Sequence, residues 1–143
     1  MLDLPVNIAA LVRGFAKNIQ LLKATDYKES QLRLHYLDPF WIALGWDVQN
    51  AQQRPPQDVD VRIEPSMDSA DDGGFRSREP DYVFRLNGFS RFILEAKKPS
   101  RDLDTDKNAI FQAKRYAWSA TIPFAILSDF EQFRLYDTTL KPI

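Results

Sequence analysis

The chain has 143 residues, 44% hydrophobic and 27% charged, with a formal net charge of -1. That is the balance of one folded domain; it excludes extensive disorder and leaves any polyanion binding to local patches. With no cysteine and a single histidine, His35, the sequence excludes disulfides, thiolate nucleophiles and metal sites built on Cys or His, so any metal has to be held by oxygen. No apolar run is long enough to span a bilayer, and Asp3 and Pro5 interrupt any signal-peptide pattern, so no membrane contact is expected and the cytoplasm is the expected address.

Residues 6 to 23 carry Ile8, Leu11, Phe15, Ile19 and Leu22 at helical spacing, which predicts one amphipathic helix over about residues 5–24. A second helix is expected from near Asp26, with Leu32, Tyr36, Leu37, Phe40, Trp41 and Leu44 on its apolar stripe. It should kink or restart where Asp38 stands as an N-cap before a first-turn Pro39. Gly45 stops it, and "WDVQN" is expected as a short strand before the polar "AQQRPPQ". In "VDVRI" the alternation of Val59, Val61 and Ile63 with Asp60 and Arg62 predicts a strand with one buried face. The segment from Glu64 to Glu79 reads as a long solvated loop, because Asp68, Asp71 and Asp72 lack the spacing of a calcium loop. Beyond Lys98, a helix from about Thr105 to Ser119 leads to the strands "PFAILS" and "QFRLYD", the first parallel to residues 91 to 97 across the helix. The order predicts an α/β domain, a mixed β-sheet flanked by helices. Trp41, Trp46 and Trp118 are expected in its core, and His35 is expected to pack or hydrogen-bond rather than catalyse.

Between these elements lies "PDYVFRLNGFSRFILEAK", residues 80 to 97, an apolar hairpin whose turn is marked by Asn87 and Gly88. A two-residue turn pairs Leu86 with Phe89, so paired residue numbers add to 175 and Asp81 points away from Glu95. A three-residue loop with a left-handed Gly88 pairs Arg85 with Phe89, and the sum becomes 174. Tyr82, Phe84, Leu86, Phe92, Leu94 and Ala96 then share one face, and Asp81, Val83, Arg85, Arg91, Ile93, Glu95 and Lys97 the other. Because a one-residue slip mixes these sets, burial of the apolar face predicts the three-residue loop.

In that register Asp81 and Glu95 lie on one side of adjacent strands, with Lys97 about 6.6 Å beyond Glu95 at roughly 3.3 Å per residue. Two carboxylates completed by water and a phosphate oxygen make the kind of site Mg²⁺ uses. A neighbouring ammonium orients or deprotonates an attacking water, or stabilises the charge of a pentavalent transition state. Taken one at a time, a turn aspartate after proline and a charged strand end account for Asp81 and for Lys97 and Lys98.

Pro80-Asp81 followed by Glu95-Ala96-Lys97 resembles the PD-(D/E)XK signature of restriction-endonuclease-like nucleases. The flanking "ESQLRLHYLDPFWIALGWDV" and "AIFQAKRYAWSATIPFAILSDFEQFRLYD" are similar to the N-terminal endonuclease region of type IIG restriction-modification enzymes and of type I restriction R subunits. The likeness runs from about Asp26 to Asp137. It implies a restriction-endonuclease-like core with an additional N-terminal helix, residues 1–143 forming a single nuclease domain and a fragment of a longer protein that carries methyltransferase or translocase modules. It further implies a magnesium-dependent endonuclease, with Mn²⁺ as a substitute, acting on double-stranded DNA, and two copies meeting transiently where both strands are cut. Asp81 and Glu95 are the implied metal ligands and Lys97 their catalytic partner. Glu29 matches an acidic helix residue of the family and, on the stripe of Leu32 and Tyr36, is a further catalytic carboxylate for the metal; an exposed helix-start glutamate is the competing reading. Gln112 and Tyr116 match the family's QxxxY motif, on one helical face, as DNA contacts or support for the site. Lys97, Lys98, Arg101, Lys107, Lys114 and Arg115 form the densest basic region and are candidates to grip phosphates, although Asp102, Asp104 and Asp106 interleave with them. Two other readings stay open: a non-catalytic nucleic-acid or partner-binding module on the same fold, and a structure-specific junction resolvase.

Overall fold

A computed structural model describes residues 6–64 and 79–142. The acidic cluster of Asp68, Asp71 and Asp72 lies outside the described residues. The remainder is an α/β domain built on one mixed five-stranded sheet in the order β1-β2-β3-β4-β5. Its strands are Val61–Ile63, Tyr82–Leu86, Phe89–Ala96, Phe124–Ser128 and Phe133–Asp137. Among the described neighbouring strands only β3 and β4 pair in parallel, and the helix α5 (Lys107–Ser119) connects them, as a parallel crossover requires. The architecture is compatible with the restriction-endonuclease-like core expected from the sequence.

Both faces of the sheet are covered, which makes three layers. On one face Tyr82, Phe84, Phe92 and Leu94 pack with Trp41, Val48 and Val61. On the other, Val83, Ile93 and Ala125 meet Ala113 and Ala117 of α5. The two alanines stand four residues apart on one helical face, and their small side chains let α5 settle close to the central strands. Strand β3 therefore buries Phe92, Ile93 and Leu94 in succession, the continuous apolar run expected of a strand covered on both sides.

The hairpin differs from expectation at its turn and agrees in its parity. Leu86 pairs with Phe89 across a two-residue turn, with φ of 53° at Asn87 and 81° at Gly88, the positive values that a type I′ turn demands. The pairs then change from Arg85↔Ser90 to Phe84↔Phe92, leaving Arg91 as a bulged extra residue in β3. Below the bulge the pairing continues as Val83↔Ile93 and Tyr82↔Leu94. The sum is thus 176 rather than 174, and it is the bulge, not a three-residue loop, that makes it even. Below the bulge Tyr82, Phe84, Phe92 and Leu94 share one face and Val83 and Ile93 the other, as the parity argument required; toward the tip the sum stays odd.

The N-terminal helices are more broken than their periodicity suggests. The expected single helix divides into α1 (Val6–Lys17) and a turn, α2 (Ile19–Leu22), around Asn18, whose side chain donates to the Gly14 carbonyl at 3.1 Å. The next helix opens as α3 (Glu29–Leu32), where the Gln31 side chain accepts from the Lys28 N–H at 2.9 Å. It then widens into a π-helical turn, Arg33–Leu37, before α4 (Asp38–Ala43). The expected restart is present, but Asp38 lies inside the helix and does not cap it. Pro39 has no N–H to return to the preceding turn, and the wider turn absorbs one extra residue there. The buried positions accordingly become Leu32, Arg33 and Leu37, while Tyr36 is half-buried.

Three further expectations are corrected. "WDVQN" forms turns instead of a strand, because the Asp47 carboxylate accepts from the N–H groups of Ala51 and Gln52 at 2.7 and 3.1 Å. Trp118 is 39% exposed, since α5 buries Ala113 and Ala117, not position 118. In β1 only Val61 is buried; Ile63 lies open at the sheet edge. Trp41 and Trp46 do belong to the core, and His35 hydrogen-bonds Tyr27 at 3.2 Å. Helix α5 starts at Asp106, whose carboxylate accepts from the Ala109 N–H at 3.2 Å and pairs with Arg101 at 3.0 Å. Asp106→Ala should lower stability by about 1 kcal/mol in urea unfolding, as loss of a helix cap does.

Candidate active site

The site assembles where β3 ends and β2 begins. Continued by one pair beyond Tyr82↔Leu94, the ladder sets Asp81 opposite Glu95. The Ala96 N–H holds Asp81 there, donating to its Oδ2 at 2.8 Å. A backbone group adjacent to one carboxylate therefore fixes the orientation of the other. Lys97 follows on β3's exit, tied to β4 by its own N–H, which donates to the Ser128 carbonyl at 2.9 Å.

Glu29 reaches the same place from α3. Burial, first, and the charge of Asp81, second, raise its carboxyl to about 7, with Lys97 and Arg33 pulling the other way. Glu95 is raised well above the ordinary carboxylate value by the same two causes, opposed by Lys97 and reinforced by Glu29. The structure thus brings Asp81, Glu95, Lys97 and Glu29 within mutual electrostatic reach. Three carboxylates facing the Lys97 ammonium and the Arg33 guanidinium are still short of positive charge, which is the condition that favours a divalent cation.

The donors available are carboxylate oxygens, the chemistry that suits Mg²⁺ or Mn²⁺. Among the described residues, no three metal-binding side chains already converge on one point. Mg²⁺ commonly takes one or two carboxylates and keeps several waters, so Asp81 and Glu95 fit it without a protein cage.

The other sequence-derived candidates make contacts of their own, although Asp106, the partner of Arg101, also feels the charge of Lys97. Gln112 is exposed on α5, and Tyr116 is half-buried against Val83 and Ile93, its hydroxyl feeling Glu79, Arg62 and Glu64. Lys98 reaches the Thr25 carbonyl at 3.5 Å, Arg101 is paired with Asp106, and the Lys114 ammonium lies 4.8 Å from the centre of the Tyr136 ring. Arg115 and Lys107 point to solvent.

Arg33 is a neighbour of the site that sequence reading missed. It is 7% exposed, and its Nη1 stands 3.6 Å from Asp81 Oδ1. Its Nη2 donates to the carbonyls of Glu64 and Asp81 at 3.0 and 3.4 Å, and its Nε to the Tyr82 hydroxyl at 3.4 Å. Tyr82 in turn donates a hydrogen bond to Asp38. The available signal was spacing: Arg33 stands four residues before Leu37 and three before Tyr36, on the buried stripe itself.

Comparison with known proteins gives this arrangement its relatives. A family model described as the type I restriction enzyme R protein N terminus matches residues 60–142. The type II restriction enzyme and methyltransferase RM.Eco57I of Escherichia coli is 35% identical over 127 residues, which are 89% of this chain and 12% of that protein. The chain therefore spans about an eighth of the length of that relative. No solved structure matches. The match to the family model takes in β1 to β5 and with them Asp81, Glu95 and Lys97; the chain belongs to the family of type I restriction enzyme R protein N termini.

Proposed function

We propose that this chain is the DNA-cleaving domain of a restriction enzyme, hydrolysing phosphodiester bonds with Mg²⁺ held by Asp81 and Glu95. The observation that carries this reading is the anchoring of Asp81 beside Glu95 by the Ala96 N–H, with Lys97 next on the strand. Family membership and the restriction-enzyme relative support it independently.

When bound, the cation would polarise the phosphate and lower the pKa of an attacking water. The chain's own residues do the rest. Asp81, held at Oδ2, presents its other oxygen to the site. Glu95 accepts a hydrogen bond from the attacking water and directs it, and Glu29 supports the same polar cluster from the helical layer. Lys97 offers a proton donor and a fixed positive charge where negative charge grows on the phosphoryl oxygens. The basic residues Lys98, Arg101, Lys114 and Arg115, together with Gln112 and Tyr116, are proposed to contact DNA or support the site. By analogy with the much longer relative, sequence recognition and methylation would reside in other modules of a parent polypeptide, and two copies would meet transiently to cut both strands.

Nicking of supercoiled plasmid tests the proposal. The chain should cut in Mg²⁺ or Mn²⁺, stop on chelation, and lose roughly 10²-fold in rate in Lys97→Ala, the scale of removing one aimed donor. Lys97→Ala should keep the wild-type circular dichroism spectrum. Undiminished cutting by that variant, or DNA retention indifferent to chelator and to loss of Glu95, would favour a binding module instead. Preference for branched over linear duplex, with a stable dimer, would favour a junction resolvase.

A further inference from the structure

Asp81 is held at one carboxylate oxygen by the backbone and faced at the other by a buried cation. The Ala96 N–H takes Oδ2, and Arg33 approaches Oδ1 at 3.6 Å from within the helical layer. Arg33 is itself fixed by the carbonyls of Glu64 and Asp81, the Tyr82 hydroxyl and the Tyr82 ring, whose centre lies 4.7 Å from the guanidinium carbon. Tyr82 is fixed by Asp38, the residue before the proline that ends the π-helical turn. A buried chain, Asp38 to Tyr82 to Arg33 to Asp81, thus links the irregular helix to the site, and the nuclease reaction uses none of its first three members.

We propose that Arg33 is a positioning residue that sets the orientation of Asp81 for the metal. This deepens the reading above and rests on it. The planar guanidinium distributes donors at fixed angles, so it can bond two carbonyls and a phenol while still facing the carboxylate. A lysine ammonium supplies the same charge without that geometry. Charge and geometry also act in opposite directions on a cation at Asp81. Arg33's positive charge repels a divalent ion, whereas its orientation of the carboxylate prepares the site. The two roles are therefore separable by experiment.

Mn²⁺ binding to the 143-residue chain, followed by electron paramagnetic resonance, provides a readout independent of cleavage. Wild-type protein, Arg33→Lys, Arg33→Met and Tyr82→Phe are compared, with melting temperatures measured alongside. Arg33→Lys should weaken Mn²⁺ binding by about 10- to 100-fold, the range found when partners that orient a metal ligand are removed. Tyr82→Phe, which frees Nε while keeping the ring, should weaken it in the same direction by less. A lowered melting temperature with unchanged affinity of the folded protein would make Arg33 structural and overturn the proposal. Unchanged affinity in Arg33→Lys with tighter binding in Arg33→Met would make it purely electrostatic, and would overturn it equally. Absence of Mn²⁺ binding by the wild type would instead remove the nuclease reading and this proposal together. If Arg33→Met does not fold, Arg33→Lys and Tyr82→Phe still decide.

Discussion

Glu95→Gln should abolish cleavage and at the same time raise the melting temperature of the metal-free chain. Loss of the carboxylate proposed to hold the metal would remove several kcal/mol of transition-state stabilisation; about 4 kcal/mol corresponds to roughly 10³-fold in rate. The stability effect has the opposite sign. Burial and the charge of Asp81 hold the Glu95 carboxyl well above its ordinary value, so its ionised form is less favourable in the folded chain than in the unfolded one. A neutral isostere avoids that penalty. For Glu29, raised from 4.5 to about 7 by burial and by Asp81, the folded state binds the proton more tightly than the unfolded state. Its contribution is therefore fully present below the unfolded pKa and is lost as pH rises toward 7. Scanning calorimetry between pH 5 and 8 on the order of one unit apart reads both effects. The wild type should lose stability as pH rises without metal and regain it with Mg²⁺, because ligand binding to the folded state stabilises it. Glu95→Gln should melt higher and respond little to Mg²⁺. A variant that melts lower than wild type at pH 8 would show that Glu95 is a stabilising structural carboxylate.

Phe84→Ala should cost about 3–5 kcal/mol in denaturant unfolding, a large part of a domain's usual total of about 5–15 kcal/mol. Phe84 is fully buried at the β2 end of a row of rings that crosses three strands, where it also meets the two tryptophans of the helical layer. Its centroid lies 4.5 Å from Phe92, 4.7 Å from Trp41, 5.2 Å from Trp46 and 5.9 Å from Tyr82, and Phe92 continues the row to Phe124 at 4.9 Å. Truncation leaves a cavity bounded by rigid rings that cannot collapse to fill it. Phe89→Ala, at the 66% exposed hairpin tip, should change stability by less than about 0.5 kcal/mol. Equal losses from the two substitutions would contradict the packing described.

Much of this fold was legible because its strands carry strong periodicity. "PFAILS" and "QFRLYD" form the strands expected, β3 and β4 are parallel, and α5 begins within two residues of its predicted start. Asp81, Glu95 and Lys97 were readable as a group because the parity of one hairpin governs their faces. What escaped reading were two single-residue irregularities. The bulge at Arg91 occurs at an ordinary residue without the glycine that would mark it, so an Asn-Gly turn and an even register seemed incompatible. The π-helical turn is announced by Pro39, but the proline marks only a break and not the extra residue it accommodates. Arg33 itself stands at helical spacing from Leu37, but a charged side chain does not announce itself as part of an apolar stripe, which is why a residue beside the site went unread. The failure at "WDVQN" was different in kind: Asp47 captured two backbone N–H groups locally and turned a strand-like composition into a turn.

The bulge also determines where this hairpin can tolerate a change of length. Arg91 is exposed and is the surplus member of β3, so a chain lacking it alone would retain both the Asn87-Gly88 turn and the alignment of Phe84 with Phe92. Deleting a single residue between Phe92 and Glu95 would instead transfer Glu95 to the opposite side of the sheet. Indels in relatives are thus expected to accumulate on the tip side of position 91, with the stretch from there to Glu95 kept at constant length.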